Sequence, residues 1–229
     1  MALNWKPALV LIAGVAAIGA CNMTDAAEFT FDTDAKGSGG EGWASSWSGE
    51  PFDRITLAGP DSLTFVTDGK HAVSATGDAD ALEQLQYKVR DGELRIRRKS
   101  SRWSLGDNGE ALIAVNGPAL RALSIAGSGS AKVDRMESDK VTLSIAGSGD
   151  ADVGKVITKS LEGSIAGSGS LKLAGNAESS EISIAGSGDV TMASDGSVDA
   201  SLMGSGDVTI KGKAKCSSTA MGSGKINCG

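Results

Sequence analysis

Carboxylates recur at one position of a glycine-rich repeat, where they have the chemistry to bind a cation. Asp150, Asp189 and Asp207 each stand three residues after the glycine that opens a Gly-Ser-Gly triplet, and Asp152 lies close to the first of them. Stacked carboxylates offer the oxygen ligands that Ca²⁺ prefers. The other repeats interrupt this column with Ser130, Ser170 and Lys225. We therefore favour turn residues that cap the repeat over a calcium site, and we assign no metal ligand.

Catalysis by a serine, histidine and aspartate triad would have to use His71, the only histidine of the chain. His71 lies in the alternating stretch KHAVSA, which contains no nucleophile motif. We interpret it as a strand residue at the surface. The sequence therefore predicts no catalytic residue, no cofactor-binding residue and no cofactor.

Cys21 is a candidate site of lipidation. The stretch Ile18-Gly19-Ala20-Cys21 resembles the lipobox of bacterial lipoproteins, in which the cysteine becomes the lipidated first residue. Residues 1–20 combine one basic residue, Lys6, with an apolar run of about 13 residues, which suits a signal peptide and is shorter than the roughly 20 residues of a membrane span. Ordinary cleavage near this point is the alternative. We expect an exported protein, anchored at the outer membrane of a bacterial envelope by its N-terminal lipid.

Cys216 and Cys228 remain as a pair once Cys21 is assigned to the lipid. In an oxidising compartment such a pair usually forms a disulfide. They stand six residues before and six residues after Gly222, at positions that alternation predicts to be inward. We expect a disulfide that closes the last repeat, with both sulfur atoms facing its interior.

Charge and aromatic content limit the choice of partner. The formal net charge of −6 argues against nucleic acid, because an acidic chain repels phosphates. The basic run RIRRKSSR at residues 95–102 is either a solvated loop or a contact for anionic lipid or polysaccharide. Trp43, Trp47 and Trp103 either form a binding patch or cover the open end of the core.

The glycine triplets belong to a repeat that determines the fold. Aligned on their first glycines, the triplets are 20, 20, 19, 18 and 18 residues apart, at Gly127, Gly147, Gly167, Gly186, Gly204 and Gly222. A period of this length indicates a solenoid, in which each repeat stacks on its neighbours. A bend with positive φ would then recur as a column that glycine fills at the lowest cost. We interpret these six glycines as structural corners.

Alternation around the triplets predicts strands. Apolar side chains stand two residues before the first glycine and four and six residues after it, whereas serine or threonine stands three residues before it. Period-two alternation is typical of strands with one buried face. We expect an all-β, single-domain parallel β-helix, or β-solenoid, with coils of about 18–20 residues and Gly-Ser-Gly corners.

The remainder of the chain divides into three further parts. Residues 21–50 carry the predicted lipid and a tether rich in glycine and serine. Residues 51–120 show blurred alternation, which predicts irregular first coils with a turn at Asp91-Gly92. Residues 121–229 form the regular coils, so that the predicted domain spans 51–229.

The order of motifs resembles the bacterial family called putative auto-transporter adhesin, head GIN domain. The resemblance rests on an apolar strand, a DGEL turn containing Leu94, the segment Pro118-Ala119-Leu120 and the ladder of triplets that follows. It covers about residues 52–229. It implies a β-solenoid of an envelope-associated protein, with no catalytic residues.

Two classes of function follow from these expectations. The first is a non-enzymatic envelope lipoprotein that presents a rigid solenoid to an unknown envelope or cell-surface partner. The second is a carbohydrate-active enzyme or a polysaccharide-binding protein, because other parallel β-helices cleave acidic polysaccharides. We favour the first class, since outward positions are mostly serine, threonine and single charges.

Overall fold

Stacked parallel strands account for most of the chain, as the alternation predicts. The computed structural model describes residues 43–99 and 109–229. It is 69% strand and 3% helix, with a parallel β-solenoid of about five turns. The expected fold class is thus confirmed. Within the described ranges, no helix combines the length and the apolar character needed to cross a membrane.

The strands and the single described helix follow one another without a second layer of helices. The elements are β1 (Arg54–Ala58), β2 (Ser62–Thr67), β3 (Ala72–Gly77), α1 (Ala79–Gln84), β4 (Leu85–Arg90), β5 (Glu93–Arg98), β6 (Ala111–Gly117), β7 (Ala122–Gly127), β8 (Ser130–Val133), β9 (Met136–Glu137), β10 (Lys140–Gly147), β11 (Asp150–Gly167), β12 (Ser170–Gly186), β13 (Asp189–Ala193), β14 (Ser197–Gly204), β15 (Asp207–Lys211), β16 (Lys215–Gly222) and β17 (Lys225–Cys228).

Each regular coil has two long sides joined by the Gly-Ser-Gly corner. We call the side before the corner face A; it contains β7, β10, the second segments of β11 and β12, β14 and β16. The side after the corner is face B, which contains β8, the first segments of β11 and β12, β13, β15 and β17. A short third side, β9 and its partner Val156–Ile157, closes the early coils. Equivalent residues of successive coils therefore lie directly above one another.

The first half of the domain departs from a sequential stack. β1 lies between β5 and β7 and is parallel to both, and β2 lies in the same way between β6 and β8. β3 and β4 pair antiparallel with β6 and β5. The coil formed by β5 and β6 thus inserts before the coil formed by β1 and β2, and β3, α1 and β4 close the N-terminal end. The irregular first coils therefore do not follow chain order, and the turn at Asp91-Gly92 is the hairpin between β4 and β5.

The core consists of inward columns that run through the whole stack. One column on face A contains Ile125, Ile145, Ile165, Ile184 and Leu202, all at most 2% exposed. Its last member, Ala220, is exposed, because no further described coil covers it. The apolar side chains before and after each corner thus form one continuous core, which is open at β16 and β17.

Candidate functional site

The corner glycines form a hydrogen-bonded column. The backbone φ is positive at all six: Gly127 (124°), Gly147 (125°), Gly167 (136°), Gly186 (134°), Gly204 (139°) and Gly222 (130°). The carbonyls of the first five corner glycines each accept a hydrogen bond from the serine N–H of the next coil, as Gly147 does from Ser168 at 2.9 Å. A Cβ atom on Gly167 would overlap the carbonyl oxygen of Gly147. The column therefore needs glycine both for its φ and for this close approach.

The second glycine of each triplet is constrained as well, which the sequence analysis did not anticipate. A Cβ on Gly169 would overlap both the carbonyl oxygen of Gly149 and Cγ2 of Ile145. The φ of Gly169 is not in the positive range, so the constraint is the approach of neighbouring coils. The sequence does contain a signal for this constraint, because glycine recurs at this position in every triplet.

The aspartates after the corner bind the backbone of the next coil. Oδ1 of Asp150 accepts the N–H of Ser170 at 2.9 Å, and Oδ1 of Asp189 accepts the N–H of Asp207 at 2.8 Å. Asp207 in turn accepts the N–H of Lys225 at 2.9 Å. In the described ranges, no group of three histidine, cysteine or acidic residues could hold a metal ion. The geometry fits capping residues.

His71 is half-buried and directly precedes β3. Its ring lies 4.7 Å from that of Phe52, and its Nδ1 atom has no hydrogen-bond partner among the described residues. A general base needs a hydrogen bond to a nucleophile or to an orienting acid. The surroundings of His71 are those of a packing residue.

Cys216 and Cys228 are joined by a disulfide, with Cα atoms 6.5 Å apart. They lie in register with Val198 and Ile210, so both cysteines occupy the inward columns. Cys216 is nevertheless half-buried and Cys228 is exposed. The reason is that β16 and β17 form the last coil, whose open side no described residue covers. Cys21 lies outside the described residues, and its lipidation stays a prediction.

The basic run is not a solvated loop where the structure describes it, because residues 95–98 belong to β5. Arg95 forms an ion pair with Glu93 at 3.0 Å, and the guanidinium of Arg97 lies 3.8 Å from the ring centroid of Trp43. Arg98 is largely buried against Asp61. These arginines are engaged within the protein, and residues 100–102 lie outside the described part.

Asp61 and Arg98 form a buried ion pair that the sequence analysis missed. Nε of Arg98 donates to Oδ2 of Asp61 at 3.0 Å, and Oδ1 of Asp61 accepts the N–H of Ala111 at 3.0 Å. Asp61 is 1% exposed. A buried carboxylate requires such partners, so the pair fixes the coil of β5 and β6 onto that of β1 and β2.

Trp43 and Trp47 line one cavity of about 340 Å³ beside β4. Ala44 pairs with Tyr87 in an antiparallel bridge, so residues 43–50, the described end of the predicted tether, cover part of the β4 edge. Trp47 packs edge-on against Phe52 at 6.2 Å, and one face of Trp43 is covered by Arg97. Both rings are engaged in closing the N-terminal end. Trp103 lies outside the described residues.

Three pKa shifts have local structural causes. Burial, and to a smaller extent the carboxylate of Asp61, raises the pKa of Tyr87. Hydrogen bonds from the backbone N–H of Lys70 and from the amide of Asn116 lower the pKa of Asp68. The contact with Asp139 at 2.8 Å raises the pKa of Lys159. Each shift follows from packing or pairing that stabilises the fold.

A shallow groove of about 280 Å³ crosses the strands of face B. Two columns of side chains line it. In the first column, Ser62 lies 2.9 Å from Ser130, and Asp150 binds Ser170. The second column consists of Thr64, Lys132, Asp152 and Lys172, in register on four adjacent strands. The groove is the candidate binding site, because its second column is exposed and charged.

Comparisons with known proteins agree with this architecture. The family model for "Putative auto-transporter adhesin, head GIN domain" matches residues 51–228. No curated protein sequence matches the chain.

Several solved structures are similar to this chain. A putative adhesin from Bacteroides fragilis aligns with a TM-score of 0.60 and 22% identity, over 81% of this chain and 94% of that one. A putative lipid binding protein from Parabacteroides distasonis aligns with a TM-score of 0.51 and 24% identity, over 78% and 93%. A putative adhesin from Parabacteroides merdae has a TM-score of 0.51 and 19% identity, over 79% and 92%. These structures support the fold alone, because their sequence identities are below 25%. The family model, in contrast, covers most of the chain. The chain therefore belongs to the putative auto-transporter adhesin, head GIN domain family.

Proposed function

We propose that this protein is an exported lipoprotein of the cell envelope that presents its solenoid for adhesion or partner binding and catalyses no reaction. The lipid is attached to Cys21 after removal of residues 1–20. The lipobox-like sequence Ile18-Gly19-Ala20-Cys21 and the short apolar run before it support this anchor.

Adhesion is supported by the family description and by the form of the outer faces. The main observation that supports this role is that outward residues of successive coils stack in register on adjacent strands of face A, for example Ser144, Ser164 and Ser183. Stacked coils of this kind hold side chains at a fixed spacing over a long surface, which suits recognition of an extended partner. The descriptions of relatives as adhesins or as a lipid-binding protein agree with a binding role.

Cell fractionation tests the anchor, and an attachment assay tests the role. Wild-type protein should fractionate with membranes, whereas Cys21→Ser should appear in the soluble envelope fraction. Cells that express wild-type protein should attach to a host-cell or polysaccharide-coated surface better than cells that express Cys21→Ser at equal abundance. Membrane retention of the variant contradicts the lipid anchor, and equal attachment contradicts the adhesive role.

A further inference from the structure

We propose that the groove on face B binds a linear acidic polysaccharide that carries one carboxylate per disaccharide. This inference rests on the proposed binding function and names the class of partner. The strand-crossing groove is lined on one side by the column Lys132, Asp152 and Lys172.

The charged side chains of this column are unpaired in the part of the chain that the structure describes. All three side chains are exposed, and no ion pair or hydrogen bond of the described residues involves them. The adjacent column is engaged, since Asp150 binds Ser170. Stacked side chains of opposite charge that do not pair with each other remain available to a ligand.

The spacing of the two lysines selects the ligand. Lys132 and Lys172 lie one coil to either side of Asp152, and adjacent strands are about 4.8 Å apart, so the lysines are about 10 Å apart. This separation is comparable with the length of a disaccharide in an extended chain. A carboxylate on every second sugar therefore reaches each ammonium group in turn.

Asp152 disfavours polymers with contiguous negative charge. Its carboxylate lies between the lysines, where it repels an anion but accepts hydrogen bonds from sugar hydroxyls. Thr64 adds a hydroxyl group that can donate and accept in the groove. Polyphosphate, polyglutamate and polygalacturonate, which are charged at every unit, match this pattern less well. The net charge of −6 disfavours them further.

The two tryptophan rings in the described ranges are occupied by contacts within the protein. Trp43 lies under Arg97, and Trp47 packs on Phe52 and donates its indole N–H to the carbonyl of Glu50 at 3.1 Å. We therefore place binding on charges and hydroxyls. Affinity supplied by exposed ion pairs is modest and decreases with salt.

Calorimetry with a hyaluronan hexasaccharide, which alternates uronate and N-acetylhexosamine, tests the proposal on the folded mature chain. We expect binding at low salt that weakens about fivefold in Lys132→Gln and again in Lys172→Gln. The matched control is Lys155→Gln, which removes an exposed charge of the same coil as Asp152 but outside the groove, and should bind as wild type does.

Neutral chitohexaose and the three polymers that are charged at every unit serve as controls. Chitohexaose should not bind, and polygalacturonate, polyglutamate and polyphosphate should bind more weakly per site than hyaluronan. The proposal is overturned if hyaluronan does not bind, if the double variant Lys132→Gln/Lys172→Gln binds it as tightly as wild type does, or if any control polymer binds equally well. A negative result in this calorimetry would not contradict the lipid anchor or the adhesive role. Those two proposals are tested separately, by fractionation and by the attachment of cells that express Cys21→Ser.

Discussion

Oδ1 of Asp189 accepts a hydrogen bond of 2.8 Å from the backbone N–H of Asp207, the residue at the same position of the next coil. Asp207 repeats this contact with Lys225 at 2.9 Å. The corner aspartates thus link their own coils to the following ones, and Ser130 and Ser170 interrupt the column without breaking the strand pairing. Their recurrence at one position reflects coil stacking.

Removal of one of these carboxylates should loosen the stack. We predict that Asp189→Ala lowers the free energy of unfolding by about 1 kcal/mol, because it deletes a hydrogen bond to a charged acceptor. Asp199→Ala is the control, since Asp199 is exposed on face A and makes no such contact with the next coil. Urea denaturation measures both. An equal effect of the two variants would show that the Asp189 contact does not stabilise the coil.

The corner itself is more sensitive. In Gly167→Val, the valine would have to adopt a φ of 136°, and its Cβ would overlap the carbonyl oxygen of Gly147. We expect the free energy of unfolding to fall by a value on the order of 3 kcal/mol, or the variant to fail to fold. Ser168→Val changes the exposed neighbouring residue, and its free energy of unfolding should stay within about 0.5 kcal/mol of the wild-type value. Thermal melting compares them. Comparable melting temperatures would contradict a stacked glycine corner.

Ser180 offers a stabilising change. It is 2% exposed, its Oγ has no hydrogen-bond partner among the residues that the structure describes, and its neighbours in the column are Leu161 and Val198. Ser180→Val should raise the free energy of unfolding by about 1 kcal/mol, because it removes an unsatisfied hydroxyl and adds buried methyl groups. Ser180→Ala separates the two causes and should give a smaller gain. A loss of stability in both variants would mean that the hydroxyl has a partner.

The disulfide between Cys216 and Cys228 should stabilise the open end. The sequence separation is 12, for which chain entropy suggests about 3 kcal/mol. Reductant should therefore lower the melting temperature of wild-type protein and leave the Cys216→Ser/Cys228→Ser variant unchanged. A non-reduced digest should contain the two peptides in one linked species. Free thiols at both positions in protein from its native envelope would contradict the closure of the last coil.

The regular coils were predictable because local and stacking signals coincide there. The same seven-residue string places an inward isoleucine, such as Ile145, and a positive-φ glycine, such as Gly147, at fixed positions, and each coil repeats its neighbour. Period-two alternation then specifies which columns are inward. The register of Cys216 and Cys228 with the inward columns followed from this counting alone.

Non-local features were not predictable in the same way. The blurred alternation of residues 51–120 indicated coils there but contains no information on which strand lies beside which, so the insertion of β5 next to β1 was missed. The burial of Asp61 depends on Arg98, 37 residues away, which no spacing indicates. The groove on face B likewise arises from residues of four strands. An inward position alone does not determine the burial of Cys228, because burial depends on a neighbouring coil.

The anchor on Cys21 is the central claim about function, and the mass of the mature N-terminus tests it most directly. Mass spectrometry of the protein purified from bacterial membranes should show a chain that begins at Cys21 and carries a diacylglyceryl group on its sulfur. An N-terminal peptide that retains residues 1–20, or a mature chain in which Cys21 is absent or unmodified, would contradict the lipoprotein account.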